Sequence, residues 1–198
     1  MSHWDQTYAA RPEEALTWFE EVPRVSLDLI ERAALPHGAT AIDVGAGASR
    51  LAAHLLDMGY AHVTRLDLSG DGLAIAAIED RSKVTDVVAD VTQWAPPAQY
   101  DLWHDRAALH FLTDPEDQAR YLDVLRAATH AGSVVILAGF ASDGPEKCSG
   151  LPVVRRDPAA LLALLGDDFE AVETRLHAHH TPKGNVQPFA YVLARRIR

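Results

Sequence analysis

The chain has 198 residues, 48% of them apolar, which suits one globular domain with a substantial core rather than a disordered chain. Its net charge of −10, from 28 acidic against 18 basic residues, argues against a nucleic-acid surface, which needs many Lys/Arg contacts to phosphate. Cys148 is the only cysteine, so a disulfide framework and a multi-cysteine metal site are excluded, and a reducing cytoplasm is the expected compartment.

The opening "MSHWDQTYAARPEEA" carries charges and no apolar segment, so it does not read as a signal peptide. The longest nearly uninterrupted apolar run, Val134 to Ala141, is far too short to cross a bilayer, and no membrane partner is expected. Two helices are predicted in an amino-terminal cap of residues 1–36. The first covers 11–22, with Pro12 near its start and Glu13 and Glu14 in its first turn; the second covers 26–35 with Ser26 as N-cap.

From residue 37 onward strands and helices alternate. Strands are expected at 40–45, 62–69, 84–90, 99–106 and 133–141, the last being the most apolar and hence central. Helices are expected at 50–59, 70–81 and 115–132, and around "DPAALLALLG", where Asp157 is the N-cap and Pro158 the first helical residue. Two closing strands, 170–180 and 187–196, flank the turn-like "TPKGNV" and form an antiparallel pair. The alternation predicts a single α/β domain over 1–198, a mostly parallel sheet with helices on both faces. Ligands bind such sheets at the carboxyl ends of the strands, where strand order reverses.

The first strand delivers Asp43 just before the turn Gly45-Ala46-Gly47, where glycine admits positive φ and close approach of a ligand to backbone. Asp67 ends the second strand, 24 residues after Asp43, placed to accept hydrogen bonds from ribose hydroxyls. Asp90 ends the third. Each acid alone could be a turn former or helix cap; three adjacent strands ending in Asp point instead to a nucleoside-like ligand. A nicotinamide dinucleotide fits poorly, because Arg50 stands where G-x-G-x-x-G needs its third glycine and Asp43 would lie close to a pyrophosphate. A ligand with ribose, an amine and a carboxylate fits better, and S-adenosylmethionine has all three.

With "AIDVGAGASRL", "RLDLS", "VVADVTQW" and "YDLWHDR", the chain resembles the class I S-adenosylmethionine-dependent methyltransferases over nearly its whole length. That resemblance implies a three-layer Rossmann-like fold with a seven-stranded sheet whose last strand is antiparallel. It implies that Gly45, Ala46 and Gly47 line the methionine part, that Asp43 sets the amine, that Asp67 with Leu68 holds the ribose, and that Asp90 and Val91 meet adenine. Asp105, in the fourth-strand motif, joins the implied cofactor set. The first half is also similar to seven-strand lysine methyltransferases acting on translation elongation factor and citrate synthase, whose early aromatic segment caps the cofactor; here that implies Trp4, Tyr8 and Trp18. The same aromatics could equally pack a helix onto the sheet. Asp105-Arg106-Ala107-Ala108 departs from that group's Asp-Lys-Gly-Thr, and "DGPEKCSGLPVVRRD" and "HHTPKGNVQPFAY" look like segments of a bacterial group of small methyltransferases.

Methyl transfer from a sulfonium depends mainly on alignment and exclusion of water, with a general base needed only for a protonated acceptor. His104, at the fourth strand's end, and His110, six residues on, are the candidate catalytic groups, although His110 also suits a packed histidine among Leu109, Phe111 and Leu112. "HAHH" puts His177 and His179 on one strand face but offers no third ligand, so no metal is expected and a solvated strand end is. The expected acceptor is a small molecule. Two further readings are a protein lysine substrate and a non-catalytic module that only binds S-adenosylmethionine.

Overall fold

The computed structural model describes residues 2–198. Helix α1 (His3–Ala9) starts from a reciprocal cap, in which the Asp5 amide donates to the Ser2 hydroxyl and the Ser2 amide donates to the Asp5 carboxylate. The helix predicted over 11–22 is replaced by a three-residue 3-10 turn, Glu13–Ala15, within an irregular strap. Tertiary contacts override local propensity there: Glu13 pairs with Arg50, Glu20 with Arg106, and Leu16 is buried. Helix α2 (Arg24–Ala33) begins two residues before the expected cap Ser26, whose hydroxyl is buried inside the fold.

Seven strands form the main sheet: β1 (Thr40–Val44), β2 (His62–Asp67), β3 (Val84–Val88), β4 (Leu102–Arg106), β5 (Val134–Phe140) and, beyond the short hairpin β6 (Lys147–Cys148) and β7 (Leu151–Pro152), β8 (Phe169–His180) and β9 (Val186–Arg196). Their order is β3-β2-β1-β4-β5-β9-β8, and only β9 runs antiparallel to its neighbours. The connecting helices are α3 (Leu51–Asp57), α4 (Gly70–Ile75), α5 (Pro115–Ala127) and α6 (Pro158–Leu165). Helix α4 covers only the first half of the predicted 70–81; Gly70 and Gly72 each cost it about 1 kcal/mol of helix propensity relative to Ala.

Strand alternation builds two cores, one on each face. Ala41, Val63, Leu102 and Ile136 meet α2 and α3, whereas Ile42, Leu66, Trp103 and Leu137 meet α5 and α6. This is the three-layer Rossmann-like arrangement. Strand order reverses between β1 and β4, so their carboxyl ends open a crevice. No helix among the described residues is long and apolar enough to cross a membrane.

Candidate active site

Beyond β1 the chain turns through Gly45 (φ 69°) and Gly47 (φ 42°), conformations in which L side chains are strained. Space is equally restrictive. A Cβ on Gly45 would stand 2.7 Å from the Ala108 Cβ, and one on Gly47 would collide with the Tyr8 hydroxyl. Tyr8 lies across this turn, hydrogen-bonded to the Ala48 backbone, so α1 covers the end of the sheet. Asp5 holds α1 there by accepting from Ser69 Oγ at 2.6 Å.

Two hollows adjoin the turn. The larger is a cleft with about 880 Å³ of empty space, part of it open to solvent. Trp4, Tyr8, Gly45, Asp67, Leu68, Asp90 and Val91, all foreseen from sequence, line it. The smaller lies behind the turn, bordered by Asp43, Ala46, Ser26 and His104. Gly47 borders neither, being covered by Tyr8.

Register puts Asp43 of β1 beside His104 of β4. The His104 Nδ1 lies 2.7 Å from Asp43 Oδ1, and its Nε2 lies 2.8 Å from Ser26 Oγ. A carboxylate only accepts, so Nδ1 carries hydrogen and, in the neutral ring, Nε2 accepts from the Ser26 hydroxyl. Both ring nitrogens are thus engaged in a buried relay. The other Asp43 oxygen, Oδ2, is buried with no hydrogen-bond partner.

Asp67, at the end of β2, accepts from the Ser69 amide at 2.8 Å and from the amides of Gly47 and Leu68. Burial nevertheless pushes its carboxyl up to about 6, those amides only partly offsetting desolvation. Asp90 closes a local turn, accepting from the Thr92 amide at 2.9 Å and the Thr92 hydroxyl at 2.8 Å, while it faces the cleft.

The structure places Asp105 elsewhere. Fully buried and away from the lining of both hollows, it caps the turn after β4 by accepting from Ala108 N at 2.8 Å, Leu109 N at 3.0 Å and Tyr121 Oη at 2.7 Å. His110 also stands outside the lining, packed behind Phe111 and Phe140 with ring centres 4.4 and 5.0 Å away. Neither of its nitrogens has a partner, and burial, with the charges of Arg106 and Arg156, lowers it to about 3. In "HAHH" the expected solvated end is corrected at His179, which is buried: its Nε2 lies 2.8 Å from the Thr17 carbonyl and its Nδ1 3.7 Å from Glu20, tying β8 to the strap.

The far half of the large cleft is walled by Trp4, Trp18, Phe111, Phe140, Cys148 and Phe189. Trp4 stacks edge-on against Phe111 and Trp18 at 5.0 and 6.2 Å. Burial pushes the Cys148 thiol up to about 11, which leaves it protonated and unreactive. Arg106 divides the two hollows, and sequence reasoning passed over it. A signal existed, since His104 and Arg106 alternate along β4 and share a face at the ligand-binding end of the sheet. Ala107, next in the chain, has φ 78°, a strained value for a residue with a side chain.

Residues 41–132 match the family model described as a methyltransferase domain. No curated protein matches the chain by sequence. Among solved structures, it is similar to the 1,6-didemethyltoxoflavin N1-methyltransferase of Burkholderia thailandensis (21% identity over 99% of this chain and 88% of that one, TM-score 0.73). It is also similar to the N-methyltransferase NodS of Bradyrhizobium japonicum (13% identity, all of both chains, TM-score 0.73). A third is an S-adenosylmethionine-dependent methyltransferase from Anabaena variabilis (17% identity over 98% of this chain and 92% of that one, TM-score 0.74). Residues 41–132 thus match a methyltransferase-domain model, and along its whole length the chain shares the fold of these solved methyltransferases.

Proposed function

We propose that the protein is an enzyme that transfers the methyl group of S-adenosylmethionine to a small organic acceptor. The residues fit that cofactor on grounds of their own chemistry. The buried, unpartnered Oδ2 of Asp43 suits an ammonium group, since a buried carboxylate oxygen needs a donor. At the Gly45–Gly47 turn a side chain would collide with Ala108 or Tyr8, so glycine lets the backbone itself form the wall of the cleft at Gly45. Asp67 suits a ribose diol, and Leu68, Asp90 and Val91 border the space for adenine. S-adenosylmethionine, when bound, supplies a methyl group on a positively charged sulfur.

The chain's own contribution is alignment and exclusion of water. His104 and Ser26 hold the Asp43 carboxylate in one orientation. Trp4, Tyr8 and Trp18 close over the cleft and remove water from around the transferring group. His110, lowered to about 3, is neutral at physiological pH and too weak a base to take a proton efficiently. The acceptor therefore arrives with a free lone pair.

The observation that carries the small-molecule reading is this aromatic enclosure, in which Trp4 and Trp18 of the cap face Phe111 and Phe189 of the core. A cleft walled in this way by aromatic side chains favours a compact acceptor over an extended polypeptide. Incubating a lysate with methyl-labelled cofactor tests it. Label in low-mass products is the expected result; label retained on a protein band would replace it with a protein substrate. Binding of cofactor without turnover in any fraction would favour the non-catalytic module.

A further inference from the structure

Arg106 borders both hollows, with a side chain only 10% exposed. Its Nε donates to Tyr191 Oη at 3.0 Å and lies 3.1 Å from Glu20 Oε2, and its Nη1 donates to the Trp18 carbonyl at 3.2 Å. The guanidinium sits 4.6 Å from the centre of the Phe189 ring, a cation–π distance. These contacts fix the fork from one side. The remaining nitrogen, Nη2, is buried and has no partner. Buried N–H groups without an acceptor are rare in folded proteins, and Arg106 borders both hollows, so its unpartnered nitrogen calls for an acceptor atom supplied from outside the chain.

Charge decides which kind of atom. Glu20 is shared between Arg106 and His179 and faces the smaller hollow, where Asp43 also stands. That hollow therefore already holds two acids and disfavours a further anion. In the large cleft, the half lined by Trp18, Phe111, Phe140, Cys148, Gln187 and Phe189 has no acidic side chain, and Arg106 is its one ionised group. Arg156, half-buried and unpaired with any acid among the described residues, adds a second positive charge acting on His110. A guanidinium edge presented across aromatic faces matches a carboxylate on a flat ring.

We propose that Arg106, through Nη2, anchors the carboxylate of an aromatic acid in the acceptor half of the cleft. The assignment rests on the methyl-transfer reading above and names the chemistry of its acceptor. A carboxylate at Nη2 could also be that of the cofactor's methionine, and the test separates the two sources.

Trp4 and Trp18 make tryptophan fluorescence a direct reporter of the cleft. The protein is first saturated with S-adenosylhomocysteine, then titrated with benzoate and quinoline-2-carboxylate and, separately, with their amides. At least one acid should bind about tenfold or more tightly than its amide, a difference of about 1.4 kcal/mol. In Arg106→Met that preference should vanish while S-adenosylhomocysteine affinity stays within a few-fold. Because Arg106→Met leaves Glu20 with His179 alone and could unfold the strap, the double variant with Glu20→Gln is measured beside it, with S-adenosylhomocysteine affinity as the check on folding. Equal binding of acid and amide, or no binding of either, with S-adenosylhomocysteine still bound, overturns the anchor and leaves methyl transfer standing. Loss of S-adenosylhomocysteine affinity in Arg106→Met with the acid preference retained also overturns it, by giving Nη2 to the cofactor. Failure of the unaltered protein to bind S-adenosylhomocysteine removes the methyl-transfer reading and the anchor with it.

Discussion

Asp43 and His104 face each other across neighbouring parallel strands, Oδ1 to Nδ1 at 2.7 Å, with Ser26 of α2 closing the relay on the far side of the ring. The pairing leaves Asp43 one free oxygen, Oδ2, and fixes where it points. With both ring nitrogens engaged, His104 acts under the proposed reading as a positioning residue. His104→Ala should therefore weaken S-adenosylhomocysteine binding by about 10- to 100-fold, as expected for losing a hydrogen bond to a charged group worth roughly 1.5–3 kcal/mol. Ser26→Ala, one step further out, should cost only a few-fold. Calorimetry measures both, and an unchanged affinity in His104→Ala removes the relay from cofactor binding.

The Gly47 turn and Tyr8 are similarly coupled. A methyl group at position 47 cannot coexist with the Tyr8 ring where it now lies, and φ 42° adds roughly 1–2 kcal/mol of backbone strain for an L-residue. Gly47→Ala should lift α1 off the sheet, lower cofactor affinity by about tenfold or more, and shift the emission of Trp4 and Trp18. Adding Tyr8→Ala removes the collision but not the strain. The double variant should then bind more tightly than the sum of the two single losses implies, a non-additivity expected of residues in contact. Strict additivity would show that Tyr8 and Gly47 act independently.

Legibility of the sequence followed the kind of signal each element carries. Strand β5 was evident because burial on both faces demands a continuous apolar run, whereas the ends of β1, β2 and β3 were marked by the glycines and acids that follow their apolar residues. The strap at 11–22 misled because its acids and apolar residues mimic a helix, while Glu13 and Glu20 answer arginines at positions 50 and 106. Asp105 read as a site residue because it ends a strand, as Asp43 does, yet successive strand residues point to opposite faces; it meets Tyr121 of α5, while His104 meets Ser26 of α2. Arg106 escaped because its one local cue, a strand face shared with His104, says nothing of the segments at positions 18, 20, 189 and 191 that enclose it.

His110 makes a clear prediction about acid sensitivity. Its folded value of about 3 lies below the ordinary value near 6.5, so the folded state resists protonation. The neutral group's contribution is full above about pH 6.5 and is lost progressively as pH falls toward 3, as the unfolded chain takes up the proton first. His110→Leu removes this term and two unsatisfied ring nitrogens, so it should flatten the stability curve between pH 6.5 and 4 in denaturant titrations. Methyl-transfer rates at pH 7.5 should stay within a few-fold. A loss of about 100-fold or more would identify His110 as a general base after all.

Asp67 gives the opposite sign. Burial holds its folded value at about 6, against an ordinary carboxyl near 3.9, so the folded state takes up this proton more readily than the unfolded chain. Its stabilising contribution is full below about pH 4, declines as pH rises to about 6, and is absent above that. At pH 7.5 the ionised side chain is thus a burden on the ligand-free fold, retained for what it can hold. Asp67→Asn keeps an oxygen for the Ser69 amide and removes the charge. The ligand-free variant should be more stable than the parent by about 1–3 kcal/mol at pH 7.5, with the gain shrinking toward pH 4. In the same variant S-adenosylhomocysteine affinity should fall by about tenfold or more, because an uncharged amide accepts hydrogen bonds from a ribose diol more weakly than a carboxylate. Denaturant curves for the two proteins that run parallel from pH 4 to 7.5 would refute the burden, and undiminished affinity would take the ribose from Asp67.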